Sequence, residues 1–270
     1  MNNLLSVDAG LPSVPSDILF NIGGFPISNS MLSGILLTIL LILFCGIVVL
    51  KTKSEGTPGK FQIILETLYE LFFSFIESVV GNRKVAEKIF PIIGTIFIYI
   101  GISNILTLIP GIDSLTYRVG DNIVPLFRTH TSDINTTFGI AAAMILWTQI
   151  YSIKETSILV HLNKYFKVWG VIQGFRKSVG DGFIAIIEFF VGLLDIISEF
   201  AKSVSLSLRL FGNMFAGLML SGIILGALAI IAPIPLILFG FFSGTLQALV
   251  FGALTASYFG SAAEIDSDER

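Results

Sequence analysis

The sequence is poor in the residues that water-soluble proteins carry on their surfaces. Only 13% of its 270 residues are charged, 54% are apolar and the mean hydropathy is +0.87, whereas a soluble domain carries about 25% charged residues. The net charge of -3 offers no basic surface for a phosphate backbone. These shortages exclude a soluble enzyme and a nucleic-acid partner, and they indicate a membrane protein whose surroundings are the lipid bilayer.

Cysteine and histidine are also scarce, which limits the chemistry that the chain can carry. Cys45 is the single cysteine, so neither an intrachain disulfide nor a cysteine metal cluster can form. The two histidines, His130 and His161, lie between different apolar segments, which argues against a histidine metal centre or a haem. We therefore expect no metal and no cofactor.

Long apolar runs predict the organisation of the chain. A helix needs about 20 apolar residues to cross a hydrocarbon core about 30 Å thick. Five runs are candidates: 33–50, 89–109, 138–153, 183–231 and 233–263. The sequence predicts an all-α membrane protein, with one membrane domain of five embedded helices and a tail at 264–270.

The first apolar run is preceded by no lysine or arginine, and the later basic residues predict the topology. Since the first basic residue is Lys51, we expect no cleaved secretory signal. The next three loops carry six, two and five basic residues in turn. Because basic loops stay in the cytoplasm, we expect the N-terminus outside and the C-terminus in the cytoplasm. We expect a bacterial plasma membrane, with the inner membrane of a mitochondrion as the alternative.

Two further segments have their own character. Residues 1–32 contain several prolines and predict an extended external segment. Residues 59–80 carry apolar side chains at helical spacing with Glu66, Glu70 and Glu77 between them, which predicts an amphipathic helix on or near the inner surface. The alternative for 59–80 is an extension of the neighbouring spans.

The fourth run is too long to cross the membrane upright. It lacks proline from Asp181 to Ala232, and a helix of about 50 residues would be about 75 Å long. Such a helix either breaks, at Gly212, Gly217 or Gly222, or lies steeply inclined. We favour inclination for it and for the last helix, because an inclined helix keeps Arg209 near the middle of the membrane.

Ionisable residues on this long helix are functional candidates, because charges inside a bilayer are costly. They are Glu188, Asp195, Glu199, Lys202 and Arg209. The seven-residue spacing of Asp195, Lys202 and Arg209 places them near one face, with Asn213 one turn further on. The alternative to a function for Glu188 and Lys202 is that they simply lie at a helix end that is exposed to water. No carboxylate lies within a turn of Arg209, so a partner acid must come from another chain or be absent.

The last helix has an uncharged polar stripe made of Ser243, Gln247 and Thr255. Gln247 is either a hydrogen-bond partner for the helix that bears Arg209 or a routine interhelical contact. Small residues on both long helices permit close approach of another chain, although small residues also pack helices within one chain.

A family resemblance rests on the motif SLSLRLFGNMFAG at 205–217. Together with TLIPG at 107–111, TSDINTTFG at 131–139 and LQALVFGALT at 246–255, it resembles subunit a of the rotary F-type ATP synthase. The resemblance implies a non-catalytic, ion-translocating stator subunit with no nucleotide site. It implies two half-channels, and a ring of c subunits, peripheral-stalk b subunits and other membrane-sector subunits as partners. Arg209 would match the essential arginine of the family, and Asn213 and Gln247 its asparagine and glutamine.

Two positions depart from the pattern of the family. Many members carry a glutamate and a histidine where this chain has Leu218 and Gly240. We expect the outer path to rest instead on Asn213, Gln247, Ser243, Asp133 and His130. Asp195 and Glu199, with Glu188 and Lys202 nearby, suit the inner path.

Two other functions remain as hypotheses. In a stand-alone transporter or channel, Arg209 would bind an anionic substrate at the midplane. Such a protein commonly has an inverted repeat, which we do not find. A purely structural scaffold ranks last, because it gives Arg209 no role.

Overall fold

Helices make up most of the chain. The computed structural model describes residues 16–52, 58–106, 108, 115–119, 122–155, 158–167, 171, 173, 175–176, 178–227 and 233–268. The helices are α1 (Asn29–Lys51), α2 (Lys60–Val80), α3 (Arg83–Leu106), α4 (Ile134–Glu155), α5 (Ile158–Tyr165), α6 (Val179–Ala227) and α7 (Pro233–Asp268). In the described part of the chain, four helices are long and apolar enough to cross a membrane: α1, α3, α4 and α7. The chain is an integral membrane protein of helical class, as predicted.

Two short β-hairpins add to the predicted all-α architecture. The first pairs β1 (Ile18–Ile22) with β2 (Phe25–Ser28), and the second pairs β3 (Thr116–Val119) with β4 (Asn122–Pro125). Gly23 and Gly24 turn the first hairpin at φ +58° and +86°, a backbone region that glycine adopts readily. The prediction of an extended segment is therefore wrong for residues 16–28, while residues 1–15 lie outside the described residues.

Capping residues set helix ends that the apolar runs alone do not predict. Ser28 Oγ accepts a hydrogen bond from the Met31 amide at 3.2 Å, so α1 starts at Asn29 rather than at residue 33. Asp133 Oδ1 accepts one from the Asn135 amide at 2.9 Å, and α4 starts at Ile134 rather than at 138. Gly81, at φ +74°, ends α2. The predicted amphipathic helix is thus separate from α3 and not an extension of it.

Of the two long helices, α6 differs from its predicted bounds at its start, and α7 differs at its end. α6 starts earlier than residue 183, and it continues without a break through Gly212 and Gly217 over 49 residues, about 74 Å. The broken alternative is therefore wrong for 179–227. α7 continues to Asp268, so most of the predicted tail is helical, and residues 269–270 lie outside the described part. Its inclination, like that of α6, stays a prediction.

The core of the molecule forms around α7, which packs against α2, α3, α4 and α6. Phe251 and Phe259 of α7 are fully buried, and small residues bring the neighbouring helices close to it. A Cβ added at Gly252 would lie 3.6 Å from both Ile93 of α3 and Phe72 of α2. The small residues of α7 that the structure describes in this way serve packing within the chain, which was one of the two possibilities left open.

Candidate functional site

Arg209 lies on the exposed face of α6. Leu206 and Leu210 point into the core and are buried, which turns the guanidinium away from the other helices. The exposed residues one or two turns away on its face are small, Ser205, Gly212 and Ala216, while the adjacent Leu208 is 51% exposed. Among the described residues, no side chain pairs with Arg209. The structure therefore presents a permanent cation on an exposed helix face.

Asn213, one turn beyond Arg209, faces α7 instead. Ser243 Oγ donates a hydrogen bond to Asn213 Oδ1 at 2.7 Å, and Asn213 Nδ2 donates to the Ser243 carbonyl at 3.4 Å. Gln247, one turn further along α7, is buried, and its Nε2 has no hydrogen-bond partner among the described residues. The predicted polar stripes of the two helices thus meet at Asn213 and Ser243.

Three residues that the sequence analysis does not identify extend this polar contact into α3. Asn104 Nδ2 donates to the Gly244 carbonyl at 3.1 Å, and Thr131 Oγ1 donates to Asn104 Oδ1 at 2.9 Å. Ser103 Oγ lies 3.1 Å from His130 Nδ1. We call Ser103, Asn104, Thr131, Asn213 and Ser243 the amide–hydroxyl cluster. Its sequence signal is the polar pair Ser103–Asn104 inside an apolar helix.

His130 and Asp133 lie beside this cluster, at the wall of an open cleft of about 750 Å³. Asp133 Oδ2 accepts hydrogen bonds from Ser16 Oγ at 2.6 Å and Ser30 Oγ at 3.1 Å. Burial lowers the pKa of His130 from its ordinary 6.5 to about 4, so the imidazole is neutral near pH 7. Of these two predicted residues, His130 contacts the amide–hydroxyl cluster directly, through Ser103.

Arg128 is a buried cation that lines a second, smaller cavity of about 160 Å³, which it shares with His130. Burial lowers its pKa, while the nearby charges of Asp17 and Asp133 act in the opposite direction. Its Nε donates a hydrogen bond to Ser132 Oγ at 3.2 Å. From the sequence, Arg128 counts only as one of two basic residues in its loop, whereas in the structure it is buried.

The ionisable residues toward the start of α6 lie in surroundings that differ from those of the amide–hydroxyl cluster. Lys202 Nζ lies 2.9 Å from Glu199 Oε1 and 5.1 Å from the centre of the Tyr258 ring of α7. Asp195 is partly buried on the same helix. We call Asp195, Glu199 and Lys202 the charged cluster. Glu188 lies apart from it, exposed, with Lys167 Nζ at 3.9 Å.

Tyr165 of α5 faces the charged cluster. The pKa of its phenol is raised to about 12, first by burial and then by the negative charge of Glu199, with a smaller contribution from Asp195. Its hydroxyl donates to Gln149 Oε1 at 2.9 Å, which lowers the pKa in part. The sequence analysis does not identify Tyr165, because nothing in the spacing of α5 relates it to α6.

Leu218 and Gly240 line one small pocket between α6 and α7, of about 70 Å³, together with Asn213 and Ser243. A Cβ added at Gly240 would lie 2.5 Å from Leu108 Cδ2, so Leu108 occupies the space that a larger side chain would need. A titratable side chain at position 240 would therefore require the Leu108 side chain to move.

Together these features define a class of protein: a polytopic helical membrane protein with polar side chains along the contact of its two longest helices and an exposed arginine beside them. Comparison of the sequence with known proteins identifies the family. Residues 31–260 match the family described as ATP synthase A chain, and the chain belongs to this family.

Individual relatives agree with this assignment. The chain is 30% identical to "ATP synthase subunit a" of Desulforamulus reducens, over 100% of this chain and 94% of that protein. It is 35% identical to "ATP synthase subunit a, sodium ion specific" of Propionigenium modestum, over 87% of this chain and 74% of that protein. A third relative, "ATP synthase subunit a" of Moorella thermoacetica, is 29% identical over 89% and 93%. The predicted family resemblance is therefore confirmed.

Proposed function

We propose that this chain is the ion-translocating stator subunit of an F-type ATP synthase, and that Arg209 faces carboxylates on a rotating ring of c subunits. The observation that carries the proposal is the position of Arg209, exposed on α6 between small residues and without a partner among the described residues. The names of the relatives support it.

The chemistry of arginine suits this role. Its guanidinium stays protonated in proteins, so it attracts a passing carboxylate into the ionised state without relaying a proton itself. An ion that enters from one side must then travel with the ring to leave on the other side. Each unit charge that crosses the membrane releases about 2.3 kcal/mol per 100 mV, which rotation delivers to ATP synthesis. A steep inclination of α6 and α7 along the ring would keep Arg209 at mid-membrane.

The outer half-channel, in this proposal, starts at the cleft beside Asp133 and His130. It passes the amide–hydroxyl cluster and Gln247 and ends at Arg209. The hydrogen bonds from Thr131 to Asn104 and from Asn104 to the Gly244 carbonyl support this route. Leu218 and Gly240 line a small pocket beside Asn213 and Ser243, but neither has a titratable side chain that could carry a proton along this path.

The inner half-channel uses the charged cluster. Asp195 and Glu199 accept the leaving ion, Lys202 holds Glu199 in place at 2.9 Å, and Glu188 lies near the inner mouth. This assignment requires the predicted topology, with the N-terminus outside and the C-terminus in the cytoplasm of a bacterium. Bacterial relatives support the location. The b subunits of the peripheral stalk and other membrane-sector subunits complete the assembly.

The translocated ion is a proton in this proposal. The sodium ion specific relative makes Na⁺ the alternative. ATP-driven acidification of vesicles at trace sodium tests the choice: acidification supports proton transport, and a requirement for added Na⁺ supports the alternative.

The central experiment replaces Arg209 in the assembled enzyme. Arg209→Ala should abolish ATP-driven ion pumping while a passive ion leak persists, because the charge barrier between the half-channels is lost. Arg83→Ala is the matched control, since Arg83 is a surface residue at the start of α3. Normal ATP synthesis in Arg209→Ala would contradict the proposal. Co-purification of a ring of small helical subunits separates it from a stand-alone transporter, which would be active alone.

A further inference from the structure

The first hairpin exposes large apolar side chains on one face. Phe20 is 40% exposed, Ile22 63% and Phe25 60%. The register pairs Ile22 with Phe25 and Phe20 with Ile27, so these four residues share a face, which we call the apolar face of the hairpin. Asn21 pairs with Pro26 on the opposite face. A soluble surface rarely carries such a contiguous apolar patch.

Contacts with α1 hold this hairpin at the end of a membrane-spanning helix. β2 ends at Ser28 and α1 begins at the next residue. The Asn29 amide donates a hydrogen bond to the Asp17 carbonyl at 3.0 Å, and Asn29 Nδ2 donates to the Pro125 carbonyl at 3.2 Å, which ties the second hairpin to the same point. The hairpin therefore lies at the level where the hydrocarbon core meets water.

Exposed apolar side chains follow one another from the hairpin into the helix. Phe25 is exposed, and so are Leu36, Ile39 and Leu43 further along α1. α1 has few buried residues and the highest mean hydropathy of the four spanning helices, 2.9, so its exposed side is a lipid-contacting surface. Asp17 is the single charged residue of the described segment 16–28. The hairpin thus extends the exposed apolar surface of a helix long and apolar enough to cross a membrane.

We propose that the apolar face of the hairpin inserts into the lipid leaflet at the end of the bilayer where α1 begins, and anchors that end of the helix. Apolar side chains of interfacial segments reach about 5–10 Å into the boundary between headgroups and acyl chains. The unpaired edges of a two-stranded hairpin need water, which keeps the backbone at headgroup level. The occupant is therefore the acyl boundary of phospholipid. This inference depends on membrane insertion, not on ion transport.

Site-specific fluorescence tests the proposal. In a Cys45→Ala background, the full-length chain carries single cysteines at Phe20, Phe25 or Asn21, labelled with bimane and reconstituted in phosphatidylcholine vesicles. Lipids brominated near the start of the acyl chain quench a label that touches them, and iodide quenches a label in water. We expect bromolipid quenching several-fold stronger at positions 20 and 25 than at the matched control Asn21→Cys, with the reverse order for iodide.

Two outcomes would overturn the proposal. Equal iodide quenching at positions 20, 21 and 25 would place the apolar face in water. Protection of positions 20 and 25 from both quenchers would show that protein, not lipid, covers the face. The alternation between positions 20 and 21 reports at the same time that the hairpin has formed.

Discussion

The amide–hydroxyl cluster and the charged cluster both lie along α6, yet they are built from different chemistry. The first joins α3, α6 and α7 through neutral donors and acceptors, and its hydrogen bond of 2.9 Å between Thr131 Oγ1 and Asn104 Oδ1 is buried. The second holds Lys202 and Glu199 at 2.9 Å, with both side chains partly exposed. Neutral groups can be buried once they are hydrogen-bonded, whereas charges need partners or water. Burial therefore selects the chemistry of each cluster.

The largest expected effect concerns His130, whose imidazole should stay uncharged beside the amide–hydroxyl cluster near pH 7. Its pKa of about 4 lies below the value of 6.5 of an unfolded histidine, so between these values the unfolded chain binds more protons. Stability from this group is full above about pH 6.5 and falls toward pH 4, by about 3 kcal/mol in total. Thermal unfolding in detergent, followed by circular dichroism across this range, measures the loss.

A matched variant isolates the contribution of His130. His130→Asn should flatten this part of the pH profile, while the pH dependence from the other titratable groups remains. Tyr99, whose ring lies 4.7 Å from His130, and the neighbouring Arg128 are the same in both proteins, and neither changes its charge between pH 4 and 6.5. Identical pH profiles for the wild type and His130→Asn would contradict the prediction.

The second largest expected effect concerns the charged cluster. The double variant Asp195→Asn, Glu199→Gln should slow ion release on the inner side by at least about tenfold, since it removes both proton acceptors. Ion flux through reconstituted vesicles, driven by a potential of either sign, measures this change in the rate of ion release.

Leu218→Ala should change the rate of ion entry less than the double variant changes the rate of ion release. Glu87→Gln, a surface acid paired with Arg83, is the control. Unchanged flux in the double variant would refute the assignment of the charged cluster to the inner path.

Sequence patterns predict those parts of the molecule that depend on local spacing. Apolar length predicts the four helices α1, α3, α4 and α7, which are long and apolar enough to cross a membrane, while the predicted fifth embedded helix, α6, stays a prediction. The amphipathic pattern predicts α2 almost to its bounds. The first hairpin is missed although Gly23–Gly24 between apolar residues is a known turn signal. Ser103, Asn104 and Tyr165 are missed for a different reason: their partners lie on other helices. The contact of Asn213 with Ser243 can be predicted from the sequence, because both residues lie on predicted polar stripes.

The smallest effect is the energy of single polar pairs, which compares the two clusters directly. A double-mutant cycle of Asn213→Ala and Ser243→Ala should give a coupling energy of about 1 kcal/mol in unfolding, as for a partly buried hydrogen bond. The cycle of Lys202→Ala and Glu199→Ala should give less, about 0.5 kcal/mol, because both charges are partly exposed to solvent. Thr255→Val is the control, since the Thr255 hydroxyl bonds to the Phe251 carbonyl of its own helix at 2.9 Å. A stronger coupling in the ion pair, which lies within α6 itself, would contradict the expectation that the hydrogen bond between α6 and α7 contributes more than the partly exposed charges.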